Sequence, residues 1–388
     1  MDSQRPRLPA REPVLRALID ICGPDFARPA RLADTVTGRR ASFVAAPATA
    51  RAVADTMRLA AERGLAVVPR GSGSKLDWGK PPPGVDLILD TARLDGIWHH
   101  DVAAGTAEIA TGTGIRAIQA ALALRGQRIA IDPPSAAATL GGVLACNEAG
   151  PLRHRFGTPA AQVHKVTYVT PAGEVAESDG EHGAPGIAEI TGVLIAATVH
   201  LEPLPQTRRW VTVPVAAPRD VPAMLDAARD FQPSAIEIDL PTPAGERVPG
   251  TLAVLLEGEP TGTVQRAKSL AAAWGATAVM SSTAPRWWGR YPFEAGDIAL
   301  RITVPMGELQ AAFYALSDAT GLPVPIRGSA GRGAMHAMLP GTMTPHRVEG
   351  ILDAVRGVLL ARDGRCVAIS APPATAGRID MAEPRDLF

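Results

Sequence analysis

From residue 209 to residue 370 the sequence passes twice through one order of hydrophobic periods, and that repetition limits the fold more than any other feature. The first pass reads as strand 209–215, helix 219–231, strands 235–239 and 251–257, helix 261–274 and strand 276–280. After the aromatic segment Arg286–Phe293 comes the second, with strand 298–304, helix 306–319, strands 323–327 and 334–339, helix 345–361 and strand 365–370. Period-two stretches bury one face of a sheet, and stretches of period 3.6 bury one stripe of a helix. The β-α-β-β-α-β order is that of a ferredoxin-like unit, so two in tandem predict a single antiparallel sheet covered by helices.

The first half follows another plan. A chain of 388 residues is long enough for two domains, and the Pro-bounded stretch Glu202–Gln206 marks the boundary. This predicts a helical lead-in over 1–38, a first domain over 39–205 and a second over 206–388. Helices are expected at 13–22, 49–63 and 114–125, the first two ended by Gly23 and Gly64. Strands are expected at 65–68, 86–90, 107–111, 163–169, 174–176 and 193–201. His99-His100-Asp101 resembles a metal cluster, but adjacent residues point apart, and a solvated turn between strands is the expectation.

Composition narrows the function classes. The formal net charge is zero, which argues against an electrostatic grip on nucleic acid or an anionic membrane. The apolar stretch at Val193–Val199 is far short of a transmembrane segment, and Met1–Pro13 has no apolar signal core. Cys22, Cys146 and Cys366 lie far apart, with no zinc or iron–sulfur spacing, which fits a reducing, cytoplasmic setting.

Two loops carry the chemistry. The strand at 65–68 runs into Pro69-Arg70-Gly71-Ser72-Gly73-Ser74-Lys75, where two glycines let backbone N–H groups approach an anion and two serines add hydroxyl donors. Such an array suits a pyrophosphate; read alone it is also an ordinary flexible turn. The second segment starts at Asp132-Pro133 and continues through Thr139-Leu140-Gly141-Gly142, Ala145, Asn147 and Gly150 to Arg155-Phe156-Gly157. Its glycines again permit close approach, the other reading being a tight packing segment of small residues.

These segments, together with Thr167-Tyr168-Val169-Thr170-Pro171-Ala172-Gly173-Glu174, resemble the PCMH-type FAD-binding domain of the vanillyl-alcohol-oxidase superfamily, and within it the FAD-binding subunits of bacterial glycolate oxidases. The resemblance covers about residues 39–203. It implies an α+β protein with a two-part FAD-binding domain followed by an antiparallel-sheet cap. It implies FAD wrapped at its pyrophosphate by residues 69–75, lined by Asp132–Gly150, and touched by the backbone of the strand around Val193 and Ile195. Ser74 stands where covalent relatives carry histidine, so attachment is expected to be non-covalent.

Departures from the family pattern shape the functional expectation. Glu177–Pro185 lacks the usual Lys-Asn-x-x-Gly-Tyr-Asp stretch, and the chain ends at Arg385-Asp386-Leu387-Phe388 without the family's closing motif. The family's His-Ala-Gly-Asp-Gly-Asn-x-His stretch becomes Ser329-Ala330-Gly331-Arg332-Gly333-Ala334-Met335-His336, so no catalytic metal is expected. His336 is then either a proton acceptor or a structural strand histidine. Arg290, Arg286, Arg301 and Arg327 are candidates to grip a substrate carboxylate, with Arg286–Phe293 forming either a lid or a packed connector. Gly112-Thr113-Gly114 reads as the tight turn opening the next helix. The implied activity is oxidation of a small 2-hydroxy acid such as glycolate or D-lactate, in complex with a catalytic flavoprotein and an iron–sulfur partner. The alternative is a catalytically impaired FAD-binding or assembly subunit.

Overall fold

A computed structural model describes residues 11–179, 186–241, 249–383 and 387. Within 177–185, residues 180–185 lie outside the described residues, as do 385, 386 and 388 of the chain end.

The first half contains two sheets. In one, strands run in the order Ala27–Pro29, Phe43–Ala45, Leu87–Asp90, Val67–Arg70, the last three being parallel. Parallel strands require a crossover, and the helix Ala50–Arg63 supplies it. Thr49 caps its start by accepting from Ala52 N at 3.1 Å, and Gly64 ends it at φ +62°. The other sheet is antiparallel, in the order Val175–Ser178, Val163–Val169, Val193–His200, Thr106–Ala110, Ile97–Asp101. Its last strand corrects the expectation of a turn at His99-His100-Asp101: all three residues pair with the strand Thr106–Ala110, and His100 Nε2 lies 2.7 Å from Gln127 Oε1. The segment holds no run of large apolar residues because it is an edge strand, and its polar face concealed it from pattern reading.

The second half forms the expected eight-stranded sheet, made of two units joined edge to edge. The first unit contributes strands Thr207–Val215, Ala235–Leu240, Gly250–Gly258 and Val279–Ser281 in spatial order fourth, first, third, second. The second contributes Ile298–Thr303, Ile326–Ser329, Ala334–Leu339 and Arg365–Ser370 in the mirrored order. The seam pairs the second strand of each unit, with Glu237 opposite Ser329 and Asp239 opposite Arg327. Helices Val221–Arg229, Pro260–Trp274, Leu309–Thr320 and Pro345–Leu360 share one buried apolar cluster with the sheet. One face of the sheet is therefore covered by helices. The other carries Glu237, Asp239, Glu257, Arg327 and His336, and it meets the first half of the chain.

Two kinds of contact fix that meeting. Arg128, on a short strand of the first half, makes a two-pronged ion pair with Glu257 of the sheet at 2.7 and 2.8 Å, and Arg208 joins at 3.0 Å. The chain just past the first glycine loop also runs along the sheet's edge, where Gly79 N donates to Ile369 O at 2.7 Å and Lys80 N to Ala382 O at 2.8 Å.

Candidate functional site

The strand Val67–Arg70 ends in the glycine-rich loop. Arg70 secures the junction, donating to Asp90 at 2.6 Å and to Asp34 at 3.1 Å. Asp34 also accepts from Arg28, which holds its carboxyl far below the usual range. Gly71 faces Thr139, the residue that caps the helix Leu140–Cys146: a Cβ on Gly71 would stand 2.1 Å from Thr139 Oγ1. Only glycine lets the two segments approach this closely. Gly73 adopts φ +80°, which turns the loop back on itself.

Between them lies a cleft of about 380 Å³, lined on one side by residues 67–76 and Trp78, and on the other by Thr139, Gly142, Ala145 and Cys146. Val36 and Thr37, from a small hairpin unremarked in the sequence, close one end. Among the described residues, no backbone acceptor meets the N–H groups of Ser72, Gly73 or Ser74. The second segment contributes differently from expectation. Leu140 N donates to Thr113 O, Gly141 N to Thr111 O and Gly142 N to Thr139 Oγ1. Its amides are thus consumed internally, and it meets the cleft with Gly142 and the small residues Thr139, Ala145 and Cys146. Gly141 is required for packing, since a Cβ there would sit 2.8 Å from Thr111 Cβ. Amides that meet no backbone acceptor, two hydroxyls and a wall of small residues fit a dinucleotide pyrophosphate.

Lys75 leaves this cleft for a buried carboxylate. Its ammonium pairs with Glu148, which has no exposed side-chain surface, and donates to Ser135 Oγ at 2.8 Å. Glu148 also accepts from Ser135 N at 3.1 Å and from Tyr291 Oη at 2.6 Å. Burial, with the adjacent Glu148 carboxylate, pushes the Tyr291 phenol well above its ordinary pKa, so it remains a donor. The Tyr291 ring packs against Trp78 at 5.3 Å and edge-on to His336 at 4.9 Å. Sequence reading missed Glu148 because a lone glutamate among small residues carries no period or motif.

Beyond Tyr291 is a second, smaller cavity of about 30 Å³. Arg153, Arg290, Arg327, Glu237, Ser329 and His336 supply its polar lining. Arg327 is held by Asp239 at 2.8 Å and by Tyr291 O at 2.9 Å. Arg290 is exposed at the rim and is shared with an outer groove that Asp132 and Pro133 also line. Burial drives the His336 pKa down to about 3, with the Arg301 and Arg153 charges adding to it. The ring is neutral at pH 7 and a weak base. Burial, followed by the Asp132 charge, lifts Glu237 to about 8, so its carboxyl is largely protonated at neutral pH. The aromatic segment packs as a connector where Trp288 stands edge-on to Trp210 at 6.2 Å, and its Gly289, Arg290 and Tyr291 line the cavity. Arg286 is exposed and lines neither space.

Several expected contact residues lie away from the cleft. Asn147 adopts φ +53° at the helix end, and its side-chain oxygen accepts from Ala160 N at 3.0 Å. Arg155 is exposed and packs over Phe156 at 5.3 Å, and Gly157 ends that short turn at φ +81°. Leu140, Val193 and Ile195 are fully buried, and Ile195 O accepts from Thr111 N. Asp132 accepts from Leu152 N and touches Gly150, whose absent Cβ would lie 1.8 Å from Asp132 O. In each case a residue expected to meet the cofactor completes local packing. Among the described residues, no group of three or more His, Cys, Asp or Glu is placed to hold a metal ion, and no helix is long and apolar enough to cross a membrane.

Comparison with known proteins agrees with this geometry. Residues 41–179 match a family model described as an FAD binding domain. An uncharacterized FAD-linked oxidoreductase of Mycobacterium tuberculosis H37Rv is 28% identical over 142 residues, 37% of this chain and 31% of that protein. A D-lactate dehydrogenase of Archaeoglobus fulgidus is 25% identical over 232 residues, 56% of this chain and 52% of the relative. The glycolate oxidase subunit GlcE of Escherichia coli K12 is 34% identical over 117 residues, 30% of this chain and 33% of the subunit. The chain thus spans from about a third to about half of these relatives. In fold, it superimposes on p-cresol methylhydroxylase with a TM-score of 0.70 at 12% identity, covering 90% of this chain and 86% of that one. An alkyldihydroxyacetonephosphate synthase gives 0.70 at 14% identity, covering 94% and 82%.

Proposed function

We propose that this protein, whose residues 41–179 match a family model described as an FAD binding domain, is an FAD-dependent oxidoreductase or a subunit of one, acting on a small 2-hydroxy acid. The observation that carries the reading is that Ser72–Ser74 and the Thr139–Cys146 wall line one cleft, whose Trp78 packs against Tyr291 of an arginine-lined cavity. Bound FAD would supply a two-electron acceptor for the substrate's α-hydrogen. In this proposal the loop amides and serine hydroxyls hold the pyrophosphate, and Arg290 and Arg327 orient a carboxylate. Pro69, Arg70 and Lys75 frame the loop, with Arg70 committed to Asp34 and Asp90 and Lys75 to Glu148. Tyr291 and Trp78 exclude water between the two spaces. Attachment is non-covalent, since Ser74 offers no nucleophile of histidine's strength. The likeness to GlcE, a glycolate oxidase subunit, supports a partner; in this proposal the electrons pass to it within a cytoplasmic complex that includes a catalytic flavoprotein and an iron–sulfur subunit.

A second reading is favoured by one observation. His336, the only survivor of the family's histidine pair, is a poor proton acceptor at a pKa of about 3, and Arg332 in the same stretch is spent on His154 O at 2.6 and 3.0 Å. Those features suit a subunit that binds FAD or assembles a complex while its partner performs the chemistry. Purified protein separates the readings. A yellow sample that releases FAD on heating and bleaches anaerobically with glycolate or D-lactate supports direct catalysis. Released FAD without bleaching supports the assembly reading, and a colourless sample overturns both.

A further inference from the structure

The small cavity contains two polar groups that the interactions described so far leave unused. Glu237 and Ser329 face each other across the seam of the eight-stranded sheet and therefore project from the same face. Their residues are 6% and 4% exposed, and both line the cavity. The Ser329 hydroxyl is a hydrogen-bonding neighbour of the Glu237 carboxyl, but among the described residues neither Glu237 Oε1 nor Ser329 Oγ makes a hydrogen bond of ordinary length and angle. Buried polar atoms without such a bond are rare in folded proteins and costly to maintain, so a pair of them in one cavity calls for a ligand. The remaining polar lining is cationic, from Arg153, Arg290 and Arg327.

This division of charge has a chemical meaning. Guanidinium groups match a carboxylate, whereas a carboxyl and a hydroxyl set side by side match a neutral hydroxyl, which donates one hydrogen bond and accepts others. An ionised glutamate in this position would repel an incoming acid. Its burial favours the protonated form, which does not. At about 30 Å³ the cavity has room for little more than a hydroxyl-sized group, so the rest of a small acid would lie toward the outer groove that Pro134, Gly289 and Arg290 share with it.

We propose that Glu237 and Ser329 are specificity-determining residues that recognise the hydroxyl of a small 2-hydroxy acid whose carboxylate is taken by the arginines of the same cavity. This rests on the reading of the cavity as a substrate site. The assignment predicts discrimination between acids that differ by one hydroxyl. A site built to pair with a hydroxyl rejects the analogue lacking it far more strongly than an apolar pocket does.

The test is calorimetric titration of the anaerobic, photoreduced holoprotein, which cannot turn over, with D-lactate and with propionate. Wild-type protein is expected to prefer D-lactate by about 10- to 100-fold, the range set by one or two hydrogen bonds to a polar buried pair. Glu237→Met and Ser329→Ala should each reduce that preference while leaving propionate affinity within about threefold, and Glu237→Gln should retain part of it. Flavin absorbance and thermal midpoint report folding, and Glu237→Gln keeps the shape of the site should Glu237→Met fail to fold. A wild-type preference that survives unchanged in both Glu237→Gln and Ser329→Ala would overturn the assignment while leaving the substrate cavity in place. Binding of neither acid by the wild type would overturn the cavity reading and this inference with it.

Discussion

Three buried titratable residues connect individual side chains to measurable behaviour. His336 has its pKa lowered from 6.5 to about 3, so folding favours the neutral ring. The stability it contributes is present above pH 6.5 and is lost as pH falls toward 3, with a slope of up to about 1.4 kcal/mol per pH unit. Urea midpoints measured from pH 7 to pH 4 should fall less steeply for His336→Asn than for wild type. Glu237 and Asp132 behave oppositely. Burial raises them from 4.5 and 3.8 to about 8, so folding favours their protonated forms. Their contribution is complete below those ordinary values and disappears as pH rises through about 8. Glu237→Gln should accordingly flatten the loss of stability between pH 5 and pH 8. An unchanged slope would mean that the carboxyl is ionised in the folded protein.

At the scale of elements, the loop at 69–75 and the helix Leu140–Cys146 are separated by the width of one missing methyl group. Gly71→Ala places a Cβ 2.1 Å from Thr139 Oγ1, so loop or helix must shift. The expected cost is about 1–3 kcal/mol of overpacking. Because the shift moves the unpaired amides of Ser72–Ser74, flavin affinity should also drop by at least about 10-fold, checked by the ratio of flavin to protein absorbance. Gly141→Ala meets Thr111 instead, and the Gly141 amide is already committed to Thr111 O. It should lower the thermal midpoint by a comparable amount while affecting flavin affinity less. The contrast separates a glycine that shapes the cleft from one that packs behind it.

Across the whole molecule, the two halves are tied by charge as well as by surface. Arg128 and Glu257 come from different halves, and their side chains are only 6% and 3% exposed. Removing one member strands the other in a desolvated position, which typically costs about 3–5 kcal/mol. Glu257→Leu should therefore destabilise strongly, measured by denaturant unfolding, and should bring a separate early transition as the eight-stranded sheet loosens from the first half of the chain. The double variant Arg128→Met/Glu257→Leu should recover much of the loss, since no isolated charge remains. The Lys75–Glu148–Tyr291 chain forms a second tie, and it runs between the two candidate sites. Tyr291→Phe removes one donor from a fully buried carboxylate, with an expected cost of about 1–3 kcal/mol and weaker retention of flavin.

The sequence alone determined the repeated architecture of the second half and the strand-to-loop junction at Pro69–Lys75. Both are written in local terms, the first as alternating periods and the second as glycines that change what a backbone can do. Helix ends at Gly23 and Gly64 and the strands at 334–339 and 365–370 were legible for the same reason. The edge strand Ile97–Asp101 escaped because its polar side chains satisfy solvent and not a core. Tertiary structure decided which glycines face the cleft and which merely pack. It turned Asn147 and Arg155 away, and it brought Glu148 to Lys75 and Tyr291, and Glu237 to Ser329. Those relations depend on contacts between residues far apart in the chain, where burial and charge act through space and leave no periodic trace in the sequence.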